Sequence, residues 1–168
     1  MTASEKNSSM IEQVKFSQVA VPWCDEFEKM ISGMNFQGSN AQVMADHKLK
    51  IMRHLNSFND TSIPENGTLI SLKIRRMAIA EKIMGKFGSF IDIEPPFFCV
   101  WGCNIFIGGG VYINREVSIY HNAPVHIGSN VFIGPGVCIC TGTHDIDPVV
   151  RRESGGSFAY PIVIEDDC

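Results

Sequence analysis

His144 stands in the string ICTGTHDIDPVVRR, flanked by small polar and acidic residues. An imidazole titrates near neutral pH, so one held beside a hydroxyl or amine can serve as its general base. From position alone, an ordinary surface histidine accounts for it at least as well. Two more histidines, His121 and His126, have H-x4-H spacing, and His144 lies 18 residues beyond His126. Three imidazoles brought to one point could ligate zinc and leave a position open for water. Either chemistry needs an architecture that holds the residues in place.

That architecture is written as a hexad beat. Ile107, Ile113 and Ile119 mark one run of six-residue steps, and Ile127, Ile133 and Ile139 mark a second, often with glycine following the aliphatic residue. A period of six is neither the 3.6 of a helix nor the two of a half-buried strand. Hexapeptide repeats build a parallel β-helix, each hexad giving one short strand and a corner, with the aliphatic side chain inside a prism. Three hexads to a turn predict that residues 18 apart stack vertically. The step from Ile119 to Ile127 is eight, which predicts a two-residue bulge at His121, Asn122, Ala123 and Pro124. A longer excursion, from Thr141 to Pro161, lacks the pattern before the beat resumes at Ile164. A loop that long is usually functional or disordered. Its Arg151, Arg152 and Tyr160 read first as a solvated surface.

The 168 residues, 45% of them hydrophobic, suffice for one core and a small accessory segment. A formal charge of −4 with scattered Lys and Arg gives no footprint for nucleic acid or an anionic membrane. No run is long and apolar enough for a membrane span, and the polar N-terminus lacks the pattern of a secretory signal. The six cysteines form no C-x-x-C pair, so reduced thiols in a cytoplasmic protein are expected.

Residues 1–22 are polar and read as a flexible tail. A helical cap is expected over 23–91, in three helices: one from Cys24 to Gly33, one from a Ser39 or Asn40 cap to Asn59, and one from about Thr68 to Lys86. At IEPPFF the character turns extended, because adjacent prolines cannot continue a helix. The fold class is therefore mainly β: a left-handed parallel β-helix over 92–168 behind a small helical cap.

The strings IEPPFFCVWGCNIFIGGGVYIN, VHIGSNVFIGPGVCICTGTHDIDPVVRR and FAYPIVIEDDC resemble the maltose and galactoside O-acetyltransferases, a branch of the hexapeptide acyltransferases. FEKMISGMNF and KLKIMRHLNSFN resemble that branch's helical cap, and together the matches cover about residues 25 to 168. The resemblance implies acetyl transfer from acetyl-CoA to a hydroxyl of a sugar or other small acceptor, in a homotrimer and without a metal. It implies His144 as the general base and Asn114 as a residue that positions the base or acceptor. Tyr112 matches an aromatic residue of the acceptor pocket. Val100, His121 and Asn122 fall at further acceptor positions, but each departs from the family pattern. Val100 replaces a hydroxyl or carboxylate ahead of Trp101 and Gly102. His121 and Asn122 replace an aspartate, and Gln37 and Gly38 replace another in the cap. Carboxylates accept hydrogen bonds from sugar hydroxyls, so these departures bear on the acceptor.

The family pattern continues past Cys168 with about two more coils that carry most CoA contacts, so the resemblance implies an incomplete β-helix and names no CoA contact within it. Two alternatives follow: a catalytically defective remnant or scaffold, and a zinc protein like the γ-class carbonic anhydrases, whose H-x4-H spacing His121 and His126 share. Against zinc, His126 is expected on an outward strand face.

Overall fold

The computed structural model describes residues 2–37, 41–154 and 156–168. Its helical part opens with α1 (Ser8–Lys15) and α2 (Asp25–Ile31). The expected flexible tail thus contains a folded element. Asn7 caps α1 by accepting from the Met10 amide, Val14 is buried, and Lys6 bridges Asp25 and Glu28 of α2. Helix α2 starts at Cys24, whose sulfur accepts from the Phe27 amide, and buries Phe27, Met30 and Ile31. Helix α3 (Gln42–Phe58) buries Met44, Ile51, Leu55 and Phe58 along one stripe. It follows Ala41; the expected caps Ser39 and Asn40, like Gly38, lie outside the described residues. Helix α4 (Leu69–Ala80) begins in a reciprocal capping box between Thr68 and Ser71.

Helix α4 ends six residues short of the expected Lys86, because that segment already belongs to the prism. Strand β1 (Lys86–Phe87) pairs in parallel with Phe106 and Ile107, so the coils begin ahead of residue 92. The remaining strands follow in chain order: β2 (Asp92–Ile93), β3 (Phe97–Cys99), β4 (Ile105–Ile107), β5 (Tyr112–Ile113), β6 (Val117–Tyr120), β7 (Val125–Ile127), β8 (Phe132–Ile133) and β9 (Cys138–Cys140). The excursion then runs through β10 (Gly142–Thr143), α5 (Pro148–Ser154) and β11 (Phe158–Ala159) to β12 (Ile162–Ile164). Three parallel sheets, β1-β4-β7-β12, β2-β5-β8 and β3-β6-β9, form the prism faces of a left-handed β-helix.

Strand partners are 20 residues apart, not 18: Ile93 lies beside Ile113 and Ile113 beside Ile133, and Cys99 beside Ile119 and Ile119 beside Ile139. The bulge expected once occurs in both coils. Cys99 to Ile107 is also a step of eight, hidden in the sequence because a cysteine occupies the inward position. Cys99 is buried, and desolvation holds its thiol protonated, so it packs as a small apolar group. The columns headed by Phe87, Ile93 and Cys99 fill the interior. A second cluster, including Phe27, Met30, Met44, Trp101 and Phe106, seals the helices against the coils.

The two wide corners, residues 100–104 and 120–124, stack on each other. Each leaves two backbone amides free of the strand ladders, and the next coil satisfies them with one side chain. His121 Nε2 accepts from the Trp101 and Gly102 amides at 3.3 and 2.9 Å. Thr141 Oγ1 accepts from the Asn122 and Ala123 amides at 2.9 and 3.1 Å. Gly102 adopts φ +69°, and a Cβ there would meet the Ile83 carbonyl oxygen at 2.4 Å, so no other residue fits without displacing backbone.

Candidate active site

Where a third wide corner would begin, the chain leaves the prism. Strands β10 and β11 pair antiparallel with Gly142 opposite Ala159 and Thr143 opposite Phe158. The long excursion without the hexad pattern is a two-stranded arm carrying α5, which Asp147 opens by accepting from the Val149 amide. Arg151 is spent inside the arm, donating to the Asp145 carbonyl at 3.0 Å. The arm is also anchored from below, where the Phe36 amide donates to the Ser157 carbonyl.

His144 extends from the base of this arm into a cleft of about 320 Å³. Its Nδ1 lies 3.2 Å from the Gly156 carbonyl oxygen and 3.5 Å from Ser157 Oγ. A carbonyl only accepts, so Nδ1 carries the proton and Nε2 keeps its lone pair. Among the described residues no hydrogen-bond partner occupies Nε2. The prism supplies one wall, the column Val100, Tyr120 and Cys140, at one position of three successive coils. Asn122 adds a polar edge, and its Oδ1 accepts from Trp101 Nε1 at 3.2 Å. From the helical part comes Lys48, whose Nζ sits 4.5 Å from the centre of the Trp101 ring. Burial holds the Lys48 ammonium below its ordinary pKa.

Three sequence-predicted residues, His144, Val100 and Asn122, therefore meet in one cleft. His121 does not join them, which corrects its expected acceptor role. It is fully buried, its Nδ1 donates to the Ile119 carbonyl at 2.9 Å, and its Nε2 serves the corner below. Desolvation pushes its pKa down to about 4, so it is a neutral structural residue at neutral pH. Tyr112 and Asn114 lie on or beside β5, on another prism face. Tyr112 is 6.4 Å from the Phe132 ring, and Asn114 Oδ1 accepts from the Arg115 amide. The sequence reading missed Lys48, Tyr120, Cys140 and Ser157. A register of 20 would have found Tyr120 and Cys140 above Val100; nothing in α3 distinguishes Lys48 from its neighbours.

The three histidines are likewise held apart. His126 stacks on Phe106 at 4.9 Å and faces Gln13 Oε1 at 3.3 Å, while His121 has both ring nitrogens engaged. Among the described residues no group of three His, Cys, Asp or Glu side chains is placed to hold a metal. None of the described helices is long and apolar enough to cross a membrane.

Comparison with known proteins finds relatives of the same fold. A Schizosaccharomyces pombe protein named for acetyltransferase activity is 31% identical over 152 residues, covering 89% of this chain and 72% of that one. The hexapeptide-repeat acetyltransferase of Vibrio cholerae, solved with acetyl-CoA, superposes with a TM-score of 0.70 at 33% identity, over 86% of this chain and 73% of that one. A maltose O-acetyltransferase of Clostridium difficile gives 0.71 at 25% identity, over 86% and 79%. No family model matches the chain. The chain belongs to the hexapeptide-repeat acetyltransferases, and it is also similar to galactoside and maltose O-acetyltransferases. It spans 72% of the length of the Schizosaccharomyces pombe relative and 44% of that of the Escherichia coli galactoside O-acetyltransferase.

Proposed function

We propose that the protein transfers the acetyl group of acetyl-CoA to a hydroxyl of a small acceptor, with His144 as general base. The observation that carries this reading is the Nδ1 contact to the Gly156 carbonyl, which leaves Nε2 basic and facing the cleft. Nε2 takes the acceptor's hydroxyl proton as its oxygen bonds to the thioester carbonyl carbon. The C–S bond then breaks, and the departing thiolate takes the proton from the imidazolium, giving an acetyl ester and CoA. An alcohol is too weak an acid to ionise unaided at neutral pH, so base assistance accounts for about 10²- to 10⁴-fold of rate.

Tyr112 and Asn114 enter this reading through oligomerisation. They share a face with Phe132, which is 72% exposed, an aromatic surface suited to burial against another copy. In a homotrimer, a neighbour's Tyr112 and Asn114 would complete the acceptor site beside His144. Light scattering measures the assembly. Mixed oligomers of the inactive variants His144→Ala and Asn114→Ala regain activity if the site is shared between subunits, and stay inactive if it is not.

Acetylated product is best followed by mass spectrometry, since Cys138, Cys140 and Cys168 are exposed and would react with a thiol reagent. Loss of product with folded His144→Ala supports the reading. Undiminished product from that variant sinks it.

A further inference from the structure

The cleft beside His144 has the charge pattern of a site for an anion. Among the described residues, none of the side chains lining it is a carboxylate, and its one formal charge is the Lys48 ammonium. That ammonium has no anionic partner among the described residues. It is steered instead by the face of Trp101, 4.5 Å from the ring centre. The ring is itself fixed. Trp101 is 1% exposed, meets Phe27 edge to face at 5.9 Å, and donates from Nε1 to Asn122 Oδ1. A side chain with four rotatable bonds is thereby held in the lining of the cleft.

Resting on the catalytic reading above, we propose that Lys48 determines acceptor specificity by binding an anionic group, a carboxylate or phosphate, on the hydroxyl compound that His144 deprotonates. A charge-assisted hydrogen bond to a half-buried ammonium is stronger than one between neutral groups, and it discriminates against the uncharged analogue by leaving the ammonium unpaired. The opposite wall suits the rest of such a molecule. Val100, Tyr120 and Cys140 form a weakly polar column that offers an aromatic face and no carboxylate to compete with the anion for Lys48.

Matched pairs test this by calorimetry in the absence of acetyl-CoA: galacturonate against galactose, and glucose 6-phosphate against glucose. At least one anionic member should bind about tenfold or more tightly than its neutral partner. Lys48→Met should erase the difference and Lys48→Arg retain most of it, with circular dichroism showing both folded. The two pairs separate a carboxylate from a phosphate preference. Equal binding within both pairs, or no binding of either anion, overturns the assignment. So does a Lys48→Met enzyme whose only defect is a raised KM for acetyl-CoA, because Lys48 would then serve the phosphates of the donor. Lys48-dependent binding of an anion that is never acetylated would leave this assignment standing and sink the catalytic reading instead.

Discussion

Two corners of the same prism each carry a histidine, and their fates are opposite. At the second wide corner His121 is fully buried, with backbone partners on both ring nitrogens. At the third, where the chain departs into the β10–β11 arm, His144 has one nitrogen engaged and the other open to a cleft. Residue type is the same, and the distance along the chain is only slightly more than one coil. What differs is the supply of backbone groups. A closed corner offers amides that need an acceptor and so consumes the imidazole. An opened corner moves its amides into a hairpin and leaves a basic nitrogen for chemistry.

The sharpest way to break this comparison is to remove each histidine and see which property fails. His144→Ala should lower kcat by about 10²- to 10⁴-fold with an unchanged denaturation midpoint, read by steady-state kinetics and urea titration. The acid limb of stability comes next. His121 is pushed down to about 4 in the folded protein, below the ordinary histidine value, so the unfolded chain binds more protons between those values. Its contribution is complete above about pH 6.5 and lost as pH falls through 4, amounting to about 3 kcal/mol. Unfolding free energies measured from pH 7 to 4 should follow that slope.

His121→Leu should flatten that slope. It should also cost about 1–3 kcal/mol at pH 7, because the Trp101 and Gly102 amides lose their acceptor. A pH-independent wild type, or a catalytic defect larger than the stability defect in His121→Leu, would undo the division of labour. The smallest effect concerns the join between the two corners. A Cβ on Gly142 would stand 2.9 Å from Asn122 Nδ2, a side-chain tip that can move. Gly142→Ala should therefore cost about 1 kcal/mol, through the Asn122 bond to Trp101, and raise the acceptor KM more than the donor KM.

The prism was legible because aliphatic residues recur where only a six-residue period explains them. Its register was not, because Cys99 fills an aliphatic slot and hides the first step of eight. That single substitution concealed the column Val100, Tyr120 and Cys140, and with it most of one wall of the cleft. His144 could be named from its string, whereas its tautomer depends on Gly156, whose carbonyl arrives from the far strand of the arm. Lys48 lay beyond reach because its role comes from a contact across 53 positions, to Trp101. Helix α1 reads as a tail because its polar composition outweighs one buried side chain, Val14, and the ion pairs that Lys6, just ahead of it, makes with Asp25 and Glu28 of α2.

Strand β12 lies on β7 with Ile162 beside Val125 and Ile164 beside Ile127, an offset of 37 residues where the other coils use 20. The detour changes the count but returns the chain in phase, with the same inward column restored. The scaffold is therefore indifferent to what is spliced into that corner, provided both ends return to one spot. An arm that keeps His144 and the Gly156 carbonyl but differs in length or composition between them could be grafted there to retune acceptor choice while the strands beneath keep their pairing, so the chain's chemistry is free to diversify without renegotiating its fold.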